Sequence, residues 1–418
     1  MSEVKRTIFY ERHKALGASI VEFGGWEMPI QYPSGIIEEH LATRKGAGLF
    51  DVSHMGRFIL TGRGSTEFLQ HVLTNNVEAL DIANAGAQYT IIPDESGGAI
   101  DDAYLYHFSQ DEYMLVVNAA NRIKDWNHLQ IILKRFDNVG LEDRTEEIAM
   151  IALQGPDSRN ILERLLESGS LPEPKRNSIG RIIIAGNALL VSCTGYTGEP
   201  VCFELFTERN AGPVVWDLLL EKGATPVGLG ARDTLRIEAG LPLYGHELGN
   251  DPEGGEIPIM ACPLSRFAVS FSPLKKNFVG KVMLSAQSDA LRKILNRDYS
   301  EKGVLPRLIR TVAIMGRGIA REGAKILKSG KHIGYVTSGT RIPFWSFEGN
   351  VMDSRQTSEH ELRSICLAYM DCDVPEGEEV IIDIRGKRVE AVVVPCHIRS
   401  DLPPFARPII WRQDRLEL

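Results

Sequence analysis

Apolar positions along the chain recur at two spacings, one typical of helices and one typical of strands. The helical spacing predicts a first helix over residues 7–16, a second over 35–46 and a third within STEFLQHVLTNNV. Residues 87–108, AQYTIIPDESGGAIDDAYLYHF, contain two strand-like runs joined by an Asp/Glu/Ser/Gly turn, which predicts a hairpin. Hairpins and helices follow one another without strict βαβ alternation, and this pattern indicates an α+β protein.

A similar unit recurs in the middle of the chain, and the last quarter has a different character. From about Arg307, short β-rich runs are separated by Gly, Pro and Asp, which predicts a separate small β-domain. We predict an α+β domain over 1–145 that carries the hairpin, with 245–290 as its candidate completion. A second α+β domain over 146–245, a connecting segment over 246–305 and a C-terminal β-domain over 306–418 follow.

Composition narrows the class of protein. The 418 residues are 43% apolar and 24% charged, as in an ordinary soluble globular protein. The net charge of −8, with Lys and Arg scattered among acids, argues against a nucleic-acid partner. Neither a signal-peptide pattern nor a long apolar run occurs, so we expect no membrane segment and a cytoplasmic location.

Cysteine and histidine spacing predicts no metal site. The six cysteines form no CxxC pair, and the ten histidines form no HExxH or similar cluster. We interpret the cysteines as buried, reduced thiols. The sequence does not indicate an oligomeric state.

Four segments carry candidate chemistry, although each also has an ordinary structural interpretation. In GGAIDD, Asp101 and Asp102 begin a strand, where side chains alternate between faces and a buried carboxylate needs a partner. In TGYTGEPVCFEL, alternation places Phe203 in the core and Glu204 on the opposite face. In GLGARDTLRIEAG, two arginines four residues apart repel each other unless an acid or anion faces them. In FDVSHMG, His54 alone is interpreted as a hydrogen-bonded structural histidine.

Together these segments resemble one family, the aminomethyltransferases (T-proteins) of the glycine cleavage system and their folate-dependent relatives. The matching motifs occur in the family's order over most of the chain: FGGWEMPIQY, GLFDVSHMG, LTNNV, GGAIDD, VVNAAN, LQGP, TGYTGE, CFEL, GLGARDTLRIEAGLPLYGHEL, NFVGK and VTSG. The resemblance implies a three-domain cloverleaf, with two α+β domains and a C-terminal β-barrel around a central channel that holds tetrahydrofolate.

The resemblance also implies a reaction and its residues. The family moves a one-carbon unit from the aminomethyl-lipoyl arm of H-protein to tetrahydrofolate and releases ammonia. A carboxylate beside the electron-poor iminium carbon stabilises positive charge, and the motif gives this role to Asp102, with Asp101 facing away as a structural residue. By motif position Glu204 accepts the pterin donor pair, Tyr196 lies near the ring and Arg232 binds the glutamate end. The remaining positions that line the folate site are Met55, Tyr89 and Asn118.

The chain departs from the family pattern in two internal segments and at its end. Residues 249–271 are longer and richer in proline, and residues 341–364 form an insertion. Both leave the one-carbon donor open. One alternative is a tetrahydrofolate-dependent demethylase that takes a methyl group from an O-, S- or N-methyl small molecule. Another is a non-catalytic folate-binding protein, against which the absence of a Lys-Gly-Cys-Tyr motif argues.

Overall fold

The computed structural model describes residues 4–83, 86–349, 355–399 and 407–409. The chain forms two compact units, each assembled from more than one segment. The first unit comprises Met1–Ile92, Ile100–Arg232 and Phe267–Val279; the second comprises Pro93–Ala99, Asp233–Arg266 and Gly280–Leu418.

Three sheets of the first unit provide its framework. A three-stranded sheet has the order Lys5–Arg6, Trp26–Gln31, Ser19–Phe23. A five-stranded sheet has the order Ala87–Pro93, Ala99–Ser109, Glu112–Val117, Gly56–Thr61, Gly140–Asp143. A seven-stranded sheet has the order Ser168–Ser170, Ile179–Ile184, Asn187–Ser192, Cys202–Glu208, Ile148–Gln154, Gly48–Asp51, Thr225–Pro226.

Turn chemistry explains where these strands begin and end. The predicted break at Gly24 and Gly25 is a tight turn in which both residues have positive φ angles, 57° and 84°, so the chain reverses between two strands. The predicted hairpin over residues 87–108 forms the edge pair of the five-stranded sheet. Its second strand has alternating burial, because one side of the sheet packs on a helix while the other does not.

Helices cover these sheets with their apolar faces. Leu129 and Ile132 of helix Arg122–Leu133 share a buried cluster with Ala103 and Leu105 of the hairpin. The α-helices of the described chain are Tyr10–Ala15, Gly35–Lys45, Ser65–Val72, Arg122–Leu133, Ser158–Leu165, Gly212–Glu221, Leu229–Glu238, Ser265–Ala268 and Lys281–Leu295. Short 3₁₀ helices cover Val77–Ala79, Ile259–Ala261 and Pro273–Lys275.

The second unit contains a closed β-barrel. Its strands follow the order Arg307–Ile314, Arg355–Asp371, Lys331–Glu348, Lys325–Lys328, Glu379–Ile384, Lys387–Val394. Small antiparallel pairs join Gly249–Asn250 to Glu256–Ile257, and Ile398–Arg399 to Arg407–Pro408. The first barrel strand begins at Arg307, where the sequence changes to short β-rich runs, as predicted. Alternate side chains of the barrel strands point inward and fill an apolar interior.

Two predicted segments have a more regular structure than their composition suggested. The described residues of the insertion 341–364, which are 341–349 and 355–364, form the outer part of two long paired strands, in which pairing runs from Arg341 with Ser364 to Glu348 with Arg355. The connecting segment 246–305 contains the 15-residue helix Lys281–Leu295. The predicted limits of the domains stay a prediction, and strand Gly48–Asp51 pairs with Ile148–Gln154 across the boundary at 145.

Candidate active site

The paired acids of GGAIDD lie on opposite faces of their strand. Asp101 is fully buried, on the face that also carries Ala103 and Leu105. Asp102 is partly exposed, on the face that carries Tyr104 and Tyr106. Strand alternation therefore separates the two carboxylates, as the sequence predicts, and Asp101 is the more deeply buried of the two.

Two neutral donors hold the Asp102 carboxylate. The Tyr89 hydroxyl donates to Asp102 Oδ2 at 2.9 Å, and Asn118 Nδ2 donates to Oδ1 at 2.7 Å. Burial raises the pKa of Asp102 to about 7, and the negative charge of Asp101 acts in the same direction. A carboxyl group with this pKa exchanges its proton near neutral pH, which suits a group that handles protons or meets a transient cation.

The Asn118 side chain joins the two acids. Its Nδ2 also donates to Asp101 Oδ1 at 2.9 Å, while its backbone N–H donates to Asp101 Oδ2 at 2.9 Å. Asn121 Nδ2 supplies another hydrogen bond to Asp101 Oδ1 at 2.6 Å. Asp101 thus anchors the amide that orients Asp102.

A row of aromatic rings leads from Asp102 to Glu204. Tyr104 and Tyr106 follow Asp102 at every second position, and their ring centroids lie 5.4 Å apart. The Tyr106 hydroxyl donates to Glu204 Oε2 at 2.6 Å, and the Thr194 hydroxyl donates to the same oxygen. Both hydroxyls therefore donate to one carboxylate oxygen of Glu204, Oε2.

Strand alternation also explains how Glu204 reaches this face. Phe203 is buried in the core of the seven-stranded sheet, so its neighbour Glu204 projects from the other side. The preceding turn depends on Gly195, because a Cβ atom there would lie 2.0 Å from Gln154 Oε1. Glycine at this position therefore lets the turn before the Glu204 strand pass close to the Gln154 side chain.

Arg232, Tyr196 and Met55 form a second group. The Arg232 guanidinium lies over the Tyr196 ring, 5.0 Å from its centroid, and Arg232 Nη2 is 3.9 Å from Met55 Sδ. Because Gly56 pairs with Val117, Met55 and Asn118 lie at the same end of neighbouring strands. This register connects the second group to the Asp102 group.

Arg236, the second arginine of the pair at i and i+4, forms hydrogen bonds with two acidic side chains. Arg236 is buried and donates to Asp233 Oδ1 at 2.8 Å and to Glu247 Oε2 at 2.8 Å. Its charge is therefore compensated within the second unit, and its role is structural.

A buried arginine fixes the loop of FDVSHMG. Arg57 is fully buried and donates to the carbonyl oxygens of Ser53, Met55 and Thr145.

Burial lowers the pKa of His54 to about 3, and the Arg232 charge acts in the same direction, so the ring is neutral. His54 Nδ1 has no hydrogen-bond partner among the described residues, so the predicted hydrogen bond stays a prediction for Nε2. The ring packs edge-on against Phe23, with 5.7 Å between centroids.

The predicted site residues fall into connected groups in the first unit. Asp102, Tyr89 and Asn118 share hydrogen bonds; Glu204 joins them through the tyrosine row; Arg232, Tyr196 and Met55 contact one another. Sequence reasoning missed Tyr106, Thr194, Asn121 and Asp125. The alternation in DAYLYHF was a signal for the tyrosines, whereas the other contacts arise only between distant segments.

Other classes of site receive no support from the described residues. No group of three or more His, Cys, Asp or Glu side chains in this part of the chain is arranged to hold a metal ion. Among the helices that the structure describes, none has the length and apolar character needed to cross a membrane. None of the six cysteines forms a disulfide bond within the described residues, and five of them are buried.

Comparison with known proteins adds independent information. The family model "GCVT N-terminal domain" matches residues 9–259. An aminomethyltransferase of Desulfitobacterium hafniense is 40% identical over 401 residues, which cover 94% of this chain and 98% of that protein. An aminomethyltransferase of Thermus thermophilus is 39% identical over 394 residues, with the same coverage of both chains.

A solved structure agrees with this relationship. Glycine cleavage system aminomethyltransferase T from Bartonella henselae matches with a TM-score of 0.72 and 28% identity, over 97% of this chain and 100% of that one. The match confirms the predicted fold class of α+β structure followed by a C-terminal β-barrel. The chain therefore belongs to the GCVT family, and the two curated relatives described above are named aminomethyltransferases.

Proposed function

We propose that the protein transfers a one-carbon unit from the aminomethyl-lipoyl arm of H-protein to tetrahydrofolate, with release of ammonia. The observation that carries this proposal is the Asp102 carboxylate, held by Tyr89 and Asn118 at one end of an aromatic row that ends at Glu204. The cytoplasm remains the predicted location.

The residues of this face fit a reduced folate. Its pterin ring presents a 2-amino group beside a ring N–H, and Glu204 can accept from such a donor pair, because two hydroxyls fix its position through Oε2. Tyr196 offers a flat face beside the Arg232 guanidinium. The guanidinium in turn suits the carboxylates of the glutamate end, since its planar fork binds a carboxylate through two N–H groups.

Asp102 would stabilise positive charge at the reacting carbon and transfer protons there. When ionised, it stabilises positive charge on the carbon that leaves the amine, and this interaction is strongest where water is excluded. Tyr89 and Asn118 keep the carboxylate in one orientation, so it needs little reorganisation during the reaction. Its pKa of about 7 also allows it to accept and return a proton.

An assay with the purified full-length chain tests whether lipoylated H-protein is the one-carbon donor. Lipoylated H-protein, ammonia, 5,10-methylenetetrahydrofolate and the remaining glycine cleavage components should support glycine synthesis. Lipoyl-free H-protein is the matched control. If only a methylated small molecule gives tetrahydrofolate-dependent turnover, the demethylase alternative replaces this proposal; folate binding without any turnover would favour a binding protein.

Replacing Arg232 by leucine should separate the two ends of the folate molecule. We expect the Kd for tetrahydrofolate to rise about tenfold, because one charge-assisted hydrogen-bonded pair contributes about 1.5 kcal/mol. The Kd for a tetrahydropterin without the glutamate tail should stay within about twofold, as the lost contact involves only the tail. Both values can be measured by fluorescence quenching under argon.

Arg232→Lys serves as the control for charge. It keeps the positive charge but loses the planar fork, so its Kd for tetrahydrofolate should lie between those of the wild type and the leucine variant. An equal loss of affinity for both ligands in Arg232→Leu would contradict a role at the glutamate end.

A further inference from the structure

Asp125 is a buried carboxyl group that the proposed reaction does not use. It lies on helix Arg122–Leu133, on the side that packs against the Asp101 face of the hairpin, and it is fully buried. Neither of its side-chain oxygens accepts a hydrogen bond from a donor in the described residues. Its helix turn nevertheless lies beside Asp101: the Asp125 backbone N–H donates to the carbonyl oxygen of Asn121 at 2.9 Å, and the Asn121 side chain donates to Asp101 Oδ1 at 2.6 Å. An interaction between the two carboxyl side chains also affects the pKa of both groups.

Two carboxylates cannot form a hydrogen bond unless one of them carries a proton. Asp101 already accepts hydrogen bonds from the Asn118 backbone, the Asn118 amide and the Asn121 amide, all of which favour its ionised form. Asp125 has no such donors among the described residues, so the proton belongs on Asp125 and the negative charge on Asp101. We infer that Asp125 is a protonated positioning residue, whose O–H donates to Asp101 and thereby holds the Asn118 amide that orients Asp102.

The pair also limits the charge beside Asp102. A second ionised carboxylate in this buried cluster would disfavour ionisation of Asp102, because like charges in a poorly solvated site repel strongly. Burial, followed by the charge of Asp101, raises the pKa of Asp125 to about 10. The charged groups that act on Asp125 are Asp101 and Asp102 on the facing strand and Lys124 on its own helix. One proton therefore stays on the pair across the physiological range.

This arrangement has a thermodynamic signature that does not depend on any assay of turnover. The folded protein holds a proton on Asp125 between its ordinary pKa of 3.8 and the raised value of about 10, whereas the unfolded chain releases it. The free energy of unfolding therefore falls as pH rises through this window. An asparagine at position 125 would supply an N–H donor to Asp101 without the need to bind a proton.

Urea denaturation of the full-length chain tests the inference. Asp125→Asn should raise the urea midpoint above that of the wild type, and the gain should be larger at about pH 8.5 than at about pH 5. Asp125→Ala should lower the midpoint at about pH 5, because it removes the donor to Asp101 and leaves a cavity. This loss should become smaller at about pH 8.5, because alanine, like asparagine, has no carboxyl group that must bind a proton on folding. Asp143→Asn is the matched control, for which we expect the urea midpoint to fall. Arg122 donates to Asp143 at 2.7 Å and helps to lower its pKa against the effect of burial, so neutralisation should destabilise the fold.

Measurements of kcat and KM test the positioning role of Asp125, and this part of the inference rests on the proposed function. We expect Asp125→Asn to keep kcat within about twofold of the wild type, and Asp125→Ala to lower kcat about tenfold with little change in KM for folate. If Asp125→Asn is as unstable as Asp125→Ala at both pH values, the inference is wrong whatever the activity. If the stability signs are as expected but no aminomethyl transfer occurs in the wild type, only the proposed reaction is wrong. Equal kcat values in the wild type and Asp125→Ala would remove the positioning role.

Discussion

Replacing Asp102 by asparagine is expected to lower kcat by about 10²- to 10³-fold, the range typical for loss of one preorganised charge or proton-transfer group. Asparagine has nearly the same shape, but it cannot stabilise a cation by charge or accept a proton. The Kd for tetrahydrofolate should change by less than about threefold, because the contacts proposed for the pterin and the glutamate end involve other residues.

The measurement is steady-state glycine synthesis together with a separate determination of the folate Kd. Asp111→Asn is a suitable control, since Asp111 is an exposed acid in the same hairpin region and has a positive φ angle, 54°, that asparagine also adopts. Unchanged turnover in Asp102→Asn would remove the electrostatic role of Asp102.

The pH profile provides a second check on the same residue. Burial and the Asp101 charge raise the pKa of Asp102 to about 7, so the ionised form becomes dominant only above that value. We therefore expect kcat/KM to increase as pH rises through about 7 and to level off above it. The inflection should disappear in Asp102→Asn, and an unchanged inflection in that variant would assign the titration to another group.

Replacing Glu204 by glutamine should weaken tetrahydrofolate binding by about 30- to 100-fold. The substitution removes the charged acceptor for the pterin donor pair, which should cost about 2–3 kcal/mol of binding free energy. The glutamine N–H₂ group is itself a donor, so it cannot accept the hydrogen bonds that the pterin donors offer. Titration of the purified chain with tetrahydrofolate and with a tail-free tetrahydropterin measures the effect. Both ligands should lose affinity, in contrast to Arg232→Leu.

Tyr106→Phe is the matched control for Glu204. It removes one of the two hydroxyls that donate to Glu204 Oε2 but keeps the charge and the aromatic ring. We expect a smaller rise in Kd, about fivefold, because Thr194 still holds the carboxylate. If Glu204→Gln binds both ligands as tightly as the wild type does, Glu204 is not the pterin acceptor.

Several features of the fold could be predicted because they depend on local patterns. The hairpin over residues 87–108, the turn at Gly24 and Gly25 and the start of the barrel near Arg307 all follow from alternation and turn residues. Membership of the family was predicted from motifs in order along the chain, and the comparisons confirm it. The roles of the individual site residues stay predictions.

Other features were missed because they depend on partners that are distant in the sequence. Helix Lys281–Leu295 lies in a segment that we predicted as a connection, although its buried positions Leu284, Gln287, Ala290 and Ile294 recur at helical spacing. The insertion 341–364 extends two barrel strands, and this became visible only from the pairing of its two ends. The edge-on packing of His54 against Phe23 was also missed, because the local sequence says nothing of that ring; the predicted hydrogen bond of His54 stays a prediction.

Taken by itself, the sequence determined which chemical groups are available and on which face of a strand each one projects. Alternation alone separates Asp101 from Asp102 and Phe203 from Glu204, because successive side chains point to opposite sides of a sheet. Only the tertiary structure decided which groups meet: Tyr106 donates to Glu204 across 98 positions in the chain, and Asn121 at the start of helix Arg122–Leu133 donates to Asp101. These contacts depend on how sheets and helices pack, and packing is set by the whole buried core and not by any short segment.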